Sequence, residues 1–204
     1  MIIGCDIDHT ITDTEELENK VVQRYLESIG FKGDVVKPDE FFVLARYGFS
    51  DQDCWNFYDT FGHELLSNAP IKQGCDKVIH ALRESGDRII FISARGLTHM
   101  LDYNPYVLTH KWMKSRGIEY DKMICRYHKK ADLAVENNVD LFIDDSISVC
   151  RELSSKNIPT ILITAPHNKN EKDLPDNCTR ADNWEQIYNL ILKIKEAENE
   201  NLAK

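Results

Sequence analysis

The sequence predicts an α/β fold in three layers, with a mainly parallel sheet covered by helices on both faces. Three observations carry this expectation. Short apolar runs such as Arg88-Ile89-Ile90-Phe91-Ile92 recur between segments whose apolar residues have helical spacing. The runs are continuous rather than alternating, which marks strands buried on both faces. Strand and helix signals also take turns along the chain, the order that crossover connections in a parallel sheet require.

Met1 to Cys5 is a short apolar run and reads as the first strand. Glu15 to Ile29 carries Leu17, Val21, Val22, Tyr25, Leu26 and Ile29 at helical spacing, with Gly30 as its stop. From about Phe31 to Ala69 the rhythm breaks. This stretch is rich in aromatics and acids, and within it Asp51 to Leu66 reads as a helix capped by Ser50 or Asp51. Regular alternation returns after Pro70 and Gly74. The spacing predicts helices over Asp76 to Ser85, Val107 to Arg116, Lys130 to Asn137, Ser146 to Lys156 and Trp184 to Lys195, the last with a fraying polar tail. Between them lie strands at Arg88 to Ile92, Lys122 to Cys125, Asp140 to Ile143 and Pro159 to Thr164. The pattern describes an α/β core of residues 1–13 and 71–204, with residues 14–70 inserted after the first strand. Insertions of that length usually carry function.

A chain of 204 residues with 42% hydrophobic content suits one domain with a modest insertion. The net charge of -9 argues against polymeric nucleic acid, whose partners present basic faces. It leaves room for a small phosphorylated substrate, because a metal ion can supply positive charge locally. The six cysteines (Cys5, Cys54, Cys75, Cys125, Cys150 and Cys178) form no Cys-x-x-Cys pair, and reduced, buried thiols are expected. No apolar stretch approaches the ~20 residues needed to span a bilayer. The first residues do not read as a secretory leader. A cytoplasmic location without a membrane partner is the expectation.

Ligands of open parallel sheets bind at the carboxyl ends of the strands. Asp6, Asp8 and Thr10 follow the first strand. Ser93, Ala94, Arg95 and Gly96 follow the second, and Asp144, Asp145 and Ser146 follow the Asp140 to Ile143 strand. Lys129 and Lys130 open the helix that leads into the latter. Four carboxylates at one rim repel each other and would partly protonate unless a cation joined them. Magnesium takes hard oxygen ligands and keeps phosphate oxygens in its shell, so the set points to a magnesium and phosphate site. Asp6 and Asp8, two residues apart at a strand end, point to the same side. One can attack phosphorus while the other handles protons.

The run Asp6-Ile7-Asp8-His9-Thr10 resembles the first motif of the haloacid-dehalogenase-like hydrolases. Ser93 resembles the second motif, Lys130 the third, and Ile143-Asp144-Asp145-Ser146 the fourth. The resemblance spans roughly residues 1 to 165 and is most specific in the first and fourth motifs. Lys130-Ala131-Asp132-Leu133 and Asp182-Asn183-Trp184 are further similar to the bacterial 5'-nucleotidase and deoxyribonucleotidase group. The resemblance implies that Asp6 attacks phosphorus to form an aspartyl-phosphate, and that Asp8 protonates the leaving oxygen and then activates water. It also implies magnesium held by Asp6, the Asp8 backbone carbonyl, Asp144 and Asp145. The family places a small helical cap after its first motif, so the resemblance implies that residues 14–70 cap a Rossmann-like core. Phosphate oxygens would be held by Ser93 and Lys130. Thr10 and Arg95 are further candidates for the phosphate; Arg95 could instead meet a cap acid or form a surface ion pair. Asp8 disfavours the dehalogenase branch, and His9 stands where glycine or asparagine is common.

The core motifs do not separate nucleotides from sugar or other small phosphates, because the chemistry at phosphorus is the same. They also leave open phosphoryl transfer to another acceptor and, with both acids present, less readily a non-catalytic phosphate binder. His63, His80, His99, His110, His128 and His167 have no metal-ligand spacing and read as structural or exposed. The aromatics of residues 41–61 either stack a nucleobase or form the cap's own small core.

Overall fold

The computed structural model describes residues 1–95, 103–125 and 129–202. Its strands are β1 (Ile2–Cys5), β2 (Arg88–Ser93), β3 (Lys122–Cys125), β4 (Leu141–Asp144), β5 (Thr160–Ile163) and β6 (Cys178–Ala181). They form one sheet in the order β3-β2-β1-β4-β5-β6, with every neighbouring pair parallel. The helices are α1 (Thr14–Ser28), α2 (Asp51–Asn68), α3 (Cys75–Glu84), α4 (Pro105–Ser115), α5 (Lys130–Glu136), α6 (Ile147–Ser155) and α7 (Trp184–Leu202), with a short 3-10 turn at Ala45–Tyr47.

The period of two along a strand sends alternate residues to opposite faces. In β2, Ile89 and Phe91 join Ile79 and Leu82 of α3, Trp112 of α4 and Ile187 of α7. Ile90 and Ile92 face the other way, toward Leu133 of α5 and Leu153 of α6. Both faces of the central strands are therefore apolar, which is why they read as continuous runs. Gly4 of β1 is dictated by this packing. A Cβ there would stand 2.4 Å from the ring of Phe142, itself 0% exposed in β4.

After β1 the chain builds β2 and β3 on one side, then returns to place β4 on the other. The β1–β4 junction is thus the point where strand order reverses, and the crevice beyond its carboxyl ends is the expected ligand site. The chain leaves the sheet between β1 and α3. At the exit, Thr12 and Ile71 form an antiparallel bridge, Asp13 N donates to Pro70 O at 2.7 Å and Lys72 N donates to Ile11 O at 2.9 Å. Beyond this neck, α1 and α2 share a separate apolar cluster built on Val21, Val22, Leu26, Leu44, Phe57 and Leu65. Ser50 caps α2 in a reciprocal capping box with Asp53.

Two expectations need correction. No strand was expected at Cys178–Ala181, yet β6 forms a sheet edge there; only its ends, Cys178 and Ala181, are buried, with exposed Thr179 and half-buried Arg180 between them, so the segment shows no apolar run. The tail expected to fray after Lys195 instead continues α7 to Leu202, consistent with its helix-favouring Glu, Lys, Ala and Leu residues. No helix among the described residues is long and apolar enough to cross a membrane.

Gly4→Ala tests the β1–β4 contact. Its methyl meets a ring that has no room to withdraw, and overpacking of this kind costs ~1–3 kcal/mol. The urea midpoint of unfolding should fall accordingly; an unchanged midpoint would contradict the packing described.

Candidate active site

Asp6 is the first residue beyond β1, and its amide donates to Ile143 O of β4 at 2.9 Å, extending the ladder by one bond. The chain then curls tightly. The amides of Thr10, Ile11 and Thr12 all converge on Ile7 O, at 3.3, 3.0 and 3.1 Å. The curl puts His9 in the left-handed region at φ 55°, which suits the glycine or asparagine expected there better than a histidine. Trp184, at the start of α7, donates its indole N–H to Thr10 O at 3.0 Å and holds the curl from behind.

Asp6, Asp144 and Asp145 are 4%, 0% and 3% exposed, and they offer carboxylate oxygens within 4.8 Å of one another. Lys130 Nζ lies between two of them, 2.7 Å from Asp6 Oδ1 and 2.8 Å from Asp144 Oδ2. The other oxygen of Asp144 accepts from the Ser146 amide at 2.8 Å. Asp145 accepts from the Thr10 hydroxyl at 3.3 Å and meets His167 Nε2 at 2.9 Å. Asp8 stands apart from this trio. Arg95 grips both its oxygens, through Nε at 2.8 Å and Nη2 at 2.5 Å, while Nη1 donates to Thr109 Oγ1 at 2.9 Å.

The two arrangements titrate in opposite directions. Burial pushes the Asp6 carboxyl well above its ordinary value; Lys130 opposes this, and the other three aspartates add to it. Asp144 is raised by burial against the pull of Lys130. Asp145 is lowered, because His167 and His9 outweigh its burial. At Asp8, burial is outweighed by the Arg95 guanidinium, and its carboxyl sits below the usual range. Four carboxylates face two fixed cations, Lys130 and Arg95, so two negative charges are left over when all four are ionised. Hard, anionic oxygens at this separation fit a divalent cation of the magnesium type. Such an ion would favour the ionised form of Asp6.

These residues form the floor of a cavity of about 400 Å³ between the sheet and the α1–α2 insertion. Asp6, Asp8, Ser93, Arg95, Lys130 and Asp145 line the floor. Phe41, Phe42, Trp55 and Tyr58 line the wall. Trp55, Tyr58, Asp59, Gly62, Leu65 and Leu66 follow helical spacing, so one face of α2 is given to the cavity. The eight aromatics of residues 41–61 therefore divide: Tyr47, Phe49, Phe57 and Phe61 pack in the cluster shared with α1, Phe41 and Trp55 border the cavity, and Phe42 and Tyr58 touch both.

The fold brings most of the expected site residues together and reassigns some. Lys130 reaches the carboxylates; Lys129 is exposed and holds a left-handed turn before α5. Ser93 is 1% exposed, lines the floor and accepts from the Arg95 amide at 3.3 Å. Thr10, expected beside the phosphate, is fully buried and its hydroxyl serves Asp145. Arg95, likewise expected at phosphate or a cap acid, spends its guanidinium on Asp8 and Thr109. His167, read as structural or exposed, is largely buried against Asp145, and its ring also packs on His9 and Phe41 with centroids 5.4 and 4.9 Å away. His99 and His128 lie outside the described residues. Glu18 was missed, although one signal was available: it sits a turn before Val21 and Val22, on the face of α1 that turns inward.

The family model described as 5' nucleotidase, deoxy (pyrimidine), cytosolic type C protein matches residues 1–197. The chain belongs to this family. It is an enzyme of the haloacid-dehalogenase-like phosphatase kind. Among curated relatives of this nucleotidase-family chain, a nucleotidase of Clostridium acetobutylicum is 26% identical over 200 residues, covering 95% of each chain. A protein of Chlorobaculum tepidum assigned as a 5'(3')-deoxyribonucleotidase is 23% identical over 194 residues, covering 94% of this chain and 90% of its own. A haloacid dehalogenase-like hydrolase structure from Streptococcus pneumoniae superposes with a TM-score of 0.66 at 13% identity, over 93% of this chain and 97% of that one, a likeness of fold.

Glu18 gives the cavity wall a pH signature. Burial raises its carboxyl from 4.5 to about 8, so the folded chain favours the neutral form. Its contribution to stability is complete below about pH 4.5 and is lost as pH rises toward 8. Glu18→Gln should flatten stability across that window by a few kcal/mol, at roughly 1.4 kcal/mol per pH unit. Parallel pH profiles of urea unfolding for the two proteins would contradict this.

Proposed function

We propose that this family member is a magnesium-dependent phosphomonoesterase that forms an aspartyl-phosphate on Asp6 and acts on nucleoside 5'-monophosphates, deoxy forms included. The reading rests on one observation above others: a buried acidic floor built around a lysine and an aromatic wall share a single cavity. The floor suits the phosphate and the wall suits a planar base, which edge-to-face or offset stacking would hold. Residues 14–70 act as the cap that selects the substrate. A phosphatase of sugar or other small phosphates would use the same floor but would make no use of the aromatic wall of Phe41, Phe42, Trp55 and Tyr58.

In this reading an Asp6 oxygen attacks phosphorus and the bond to the ester oxygen breaks. Asp8 gives its proton to that oxygen, and the alcohol leaves. Asp8, now a carboxylate, takes a proton from a water molecule, whose oxygen attacks phosphorus. Phosphate departs and the Asp6 carboxylate returns. A magnesium ion held by Asp6, the Asp8 backbone carbonyl, Asp144 and Asp145 would offset the charge of these oxygens and of the phosphate. Lys130 and Ser93 hold phosphate oxygens. The pair with Arg95 favours Asp8 as the base of the second half. Its work as the acid of the first half requires that grip to loosen when substrate enters.

Asp6→Asn removes the attacking oxygen's charge while keeping its volume. Turnover of nucleoside monophosphates should fall by at least ~10³-fold with the melting temperature held or raised. Chelation should abolish wild-type turnover and added magnesium restore it. Full activity of Asp6→Asn, or turnover indifferent to chelator, would sink the mechanism. Steady hydrolysis of sugar phosphates with none of nucleotides would remove the nucleotide part alone.

A further inference from the structure

Glu18 is a buried carboxyl that the phosphate chemistry does not use. It is 3% exposed and lines the cavity. Its Oε1 accepts from the Tyr58 hydroxyl at 2.9 Å. Its Oε2 is buried without a hydrogen-bond partner; His9 Nε2 stands 3.6 Å away, beyond hydrogen-bond reach. A buried oxygen left unsatisfied keeps its desolvation cost without return. At the border of a ligand cavity, that oxygen is a candidate to be completed by the ligand.

Its position says which part of a ligand is near. Thr14 and Glu18 are four residues apart on α1, share a face and both line the cavity. Thr14 Oγ1 lies 3.4 Å from Asp8 Oδ1. One helical turn advances ~5.4 Å, so Glu18 stands about one turn from the acid/base. That is the reach of a sugar next to the ester oxygen, short of a base stacked deeper in the cap. A metal ion is the rival occupant, since His9, Glu15 and Glu18 offer ligand atoms within 4.8 Å of one another. Glu15, however, already pairs both its oxygens with the Arg46 guanidinium, which would repel a cation and leaves too few ligands.

Resting on the phosphomonoesterase reading, we propose that Glu18 is a specificity residue that hydrogen-bonds a sugar hydroxyl of the group esterified to the phosphate, with Tyr58 orienting its carboxyl. A hydroxyl both donates and accepts. It therefore completes Oε2 whether the carboxyl is neutral, as burial favours, or ionised. A base edge with fixed donors and acceptors would suit only one of those states.

The test compares kcat/KM of wild type, Glu18→Gln and Glu18→Ala on four substrates: a ribonucleoside 5'-monophosphate, its 2'-deoxy and 2',3'-dideoxy forms, and p-nitrophenyl phosphate, which has no sugar. In wild type, removal of the contacted hydroxyl should lower kcat/KM ~10- to 100-fold, mostly through KM. The step in the series at which the fall occurs identifies the 2' or the 3' hydroxyl. In Glu18→Ala, the ratio of nucleotide to p-nitrophenyl phosphate kcat/KM should fall by the same factor, and the dideoxy penalty should vanish. Glu18→Gln, which can still donate and accept, should keep most of both. An unchanged ratio in Glu18→Ala, or a wild type blind to loss of both hydroxyls, would overturn the proposal, and the wild-type arm needs no variant to fold. A wild type that hydrolyses p-nitrophenyl phosphate and sugar phosphates but no nucleotide would defeat the nucleotide reading instead. The Glu18 ratio would then be measured on a sugar phosphate, where a fall in Glu18→Ala supports the proposal and an unchanged ratio overturns it.

Discussion

Three carboxylates, Asp6, Asp144 and Asp145, are buried together where β1 and β4 end. Charges removed from water are costly unless paired and hydrogen-bonded, and breaking one buried pair costs ~3–5 kcal/mol. Much of the surrounding structure answers that demand. Lys130 bridges two of the three, so α5 must begin where its first residue can reach both. The Ser146 amide takes the other oxygen of Asp144. Thr10 and His167 attend to Asp145, and Trp184 of α7 holds the curl that brings Thr10 there. The first motif, the loop after β5 and the final helix are thus tied to one another through the acids. The reversal of strand order supplies the crevice.

The same crevice holds a second, separate electrostatic unit. Asp8 is paired with Arg95, which Thr109 of α4 anchors, and its carboxyl is kept low while that of Asp6 is driven high. For an attacking carboxylate and a proton-donating acid these directions are reversed. In the proposed reaction the reversal would give substrate and cation specific work to do: a cation beside Asp6 would favour its ionised form, and a phosphate group competing for Arg95 would free Asp8 to carry a proton. Lys130 and Arg95 thus match two of the four acidic charges, and a divalent cation would match the remaining two. The insertion that carries α1 and α2 meets the rest of the fold at more than the neck. Asp39, between α1 and α2, accepts from Asn170 Nδ2 at 3.0 Å, and Phe41 packs on His9 and His167, so the wall of the cavity touches residues that attend to the floor.

Much of this was legible in the sequence, for reasons that particular residues make clear. β1, β2, β4 and β5 are buried on both faces, which leaves uninterrupted apolar residues to be read; β3 is an edge strand, but Met123, Ile124 and Cys125 still form an apolar run. β6 is an edge strand with Cys178 and Ala181 buried and little between them, so pattern alone passes over it. Asp6, Asp8, Asp144 and Asp145 were readable because the position of an acid just past a strand fixes where it goes. Thr10 and Arg95 were readable as rim residues but not in their partners, since which oxygen a hydroxyl or guanidinium meets depends on the tightness of the curl and on Thr109 of a distant helix. Glu18 and His167 come from a helix face and a loop, and their nearness to the site exists only once the cap and β5 are folded around it.

The central claim is that Asp6 becomes covalently phosphorylated. Its most direct test is to mix enzyme, magnesium and a nucleoside monophosphate labelled in the phosphoryl group, quench in acid within the first turnover, digest and locate the label by mass spectrometry. The expected result is an acid-stable, hydroxylamine-labile phosphoryl group on Asp6 in the peptide that runs through Asp8. Label on any other residue, or rapid turnover with no labelled protein at any quench time, would contradict it.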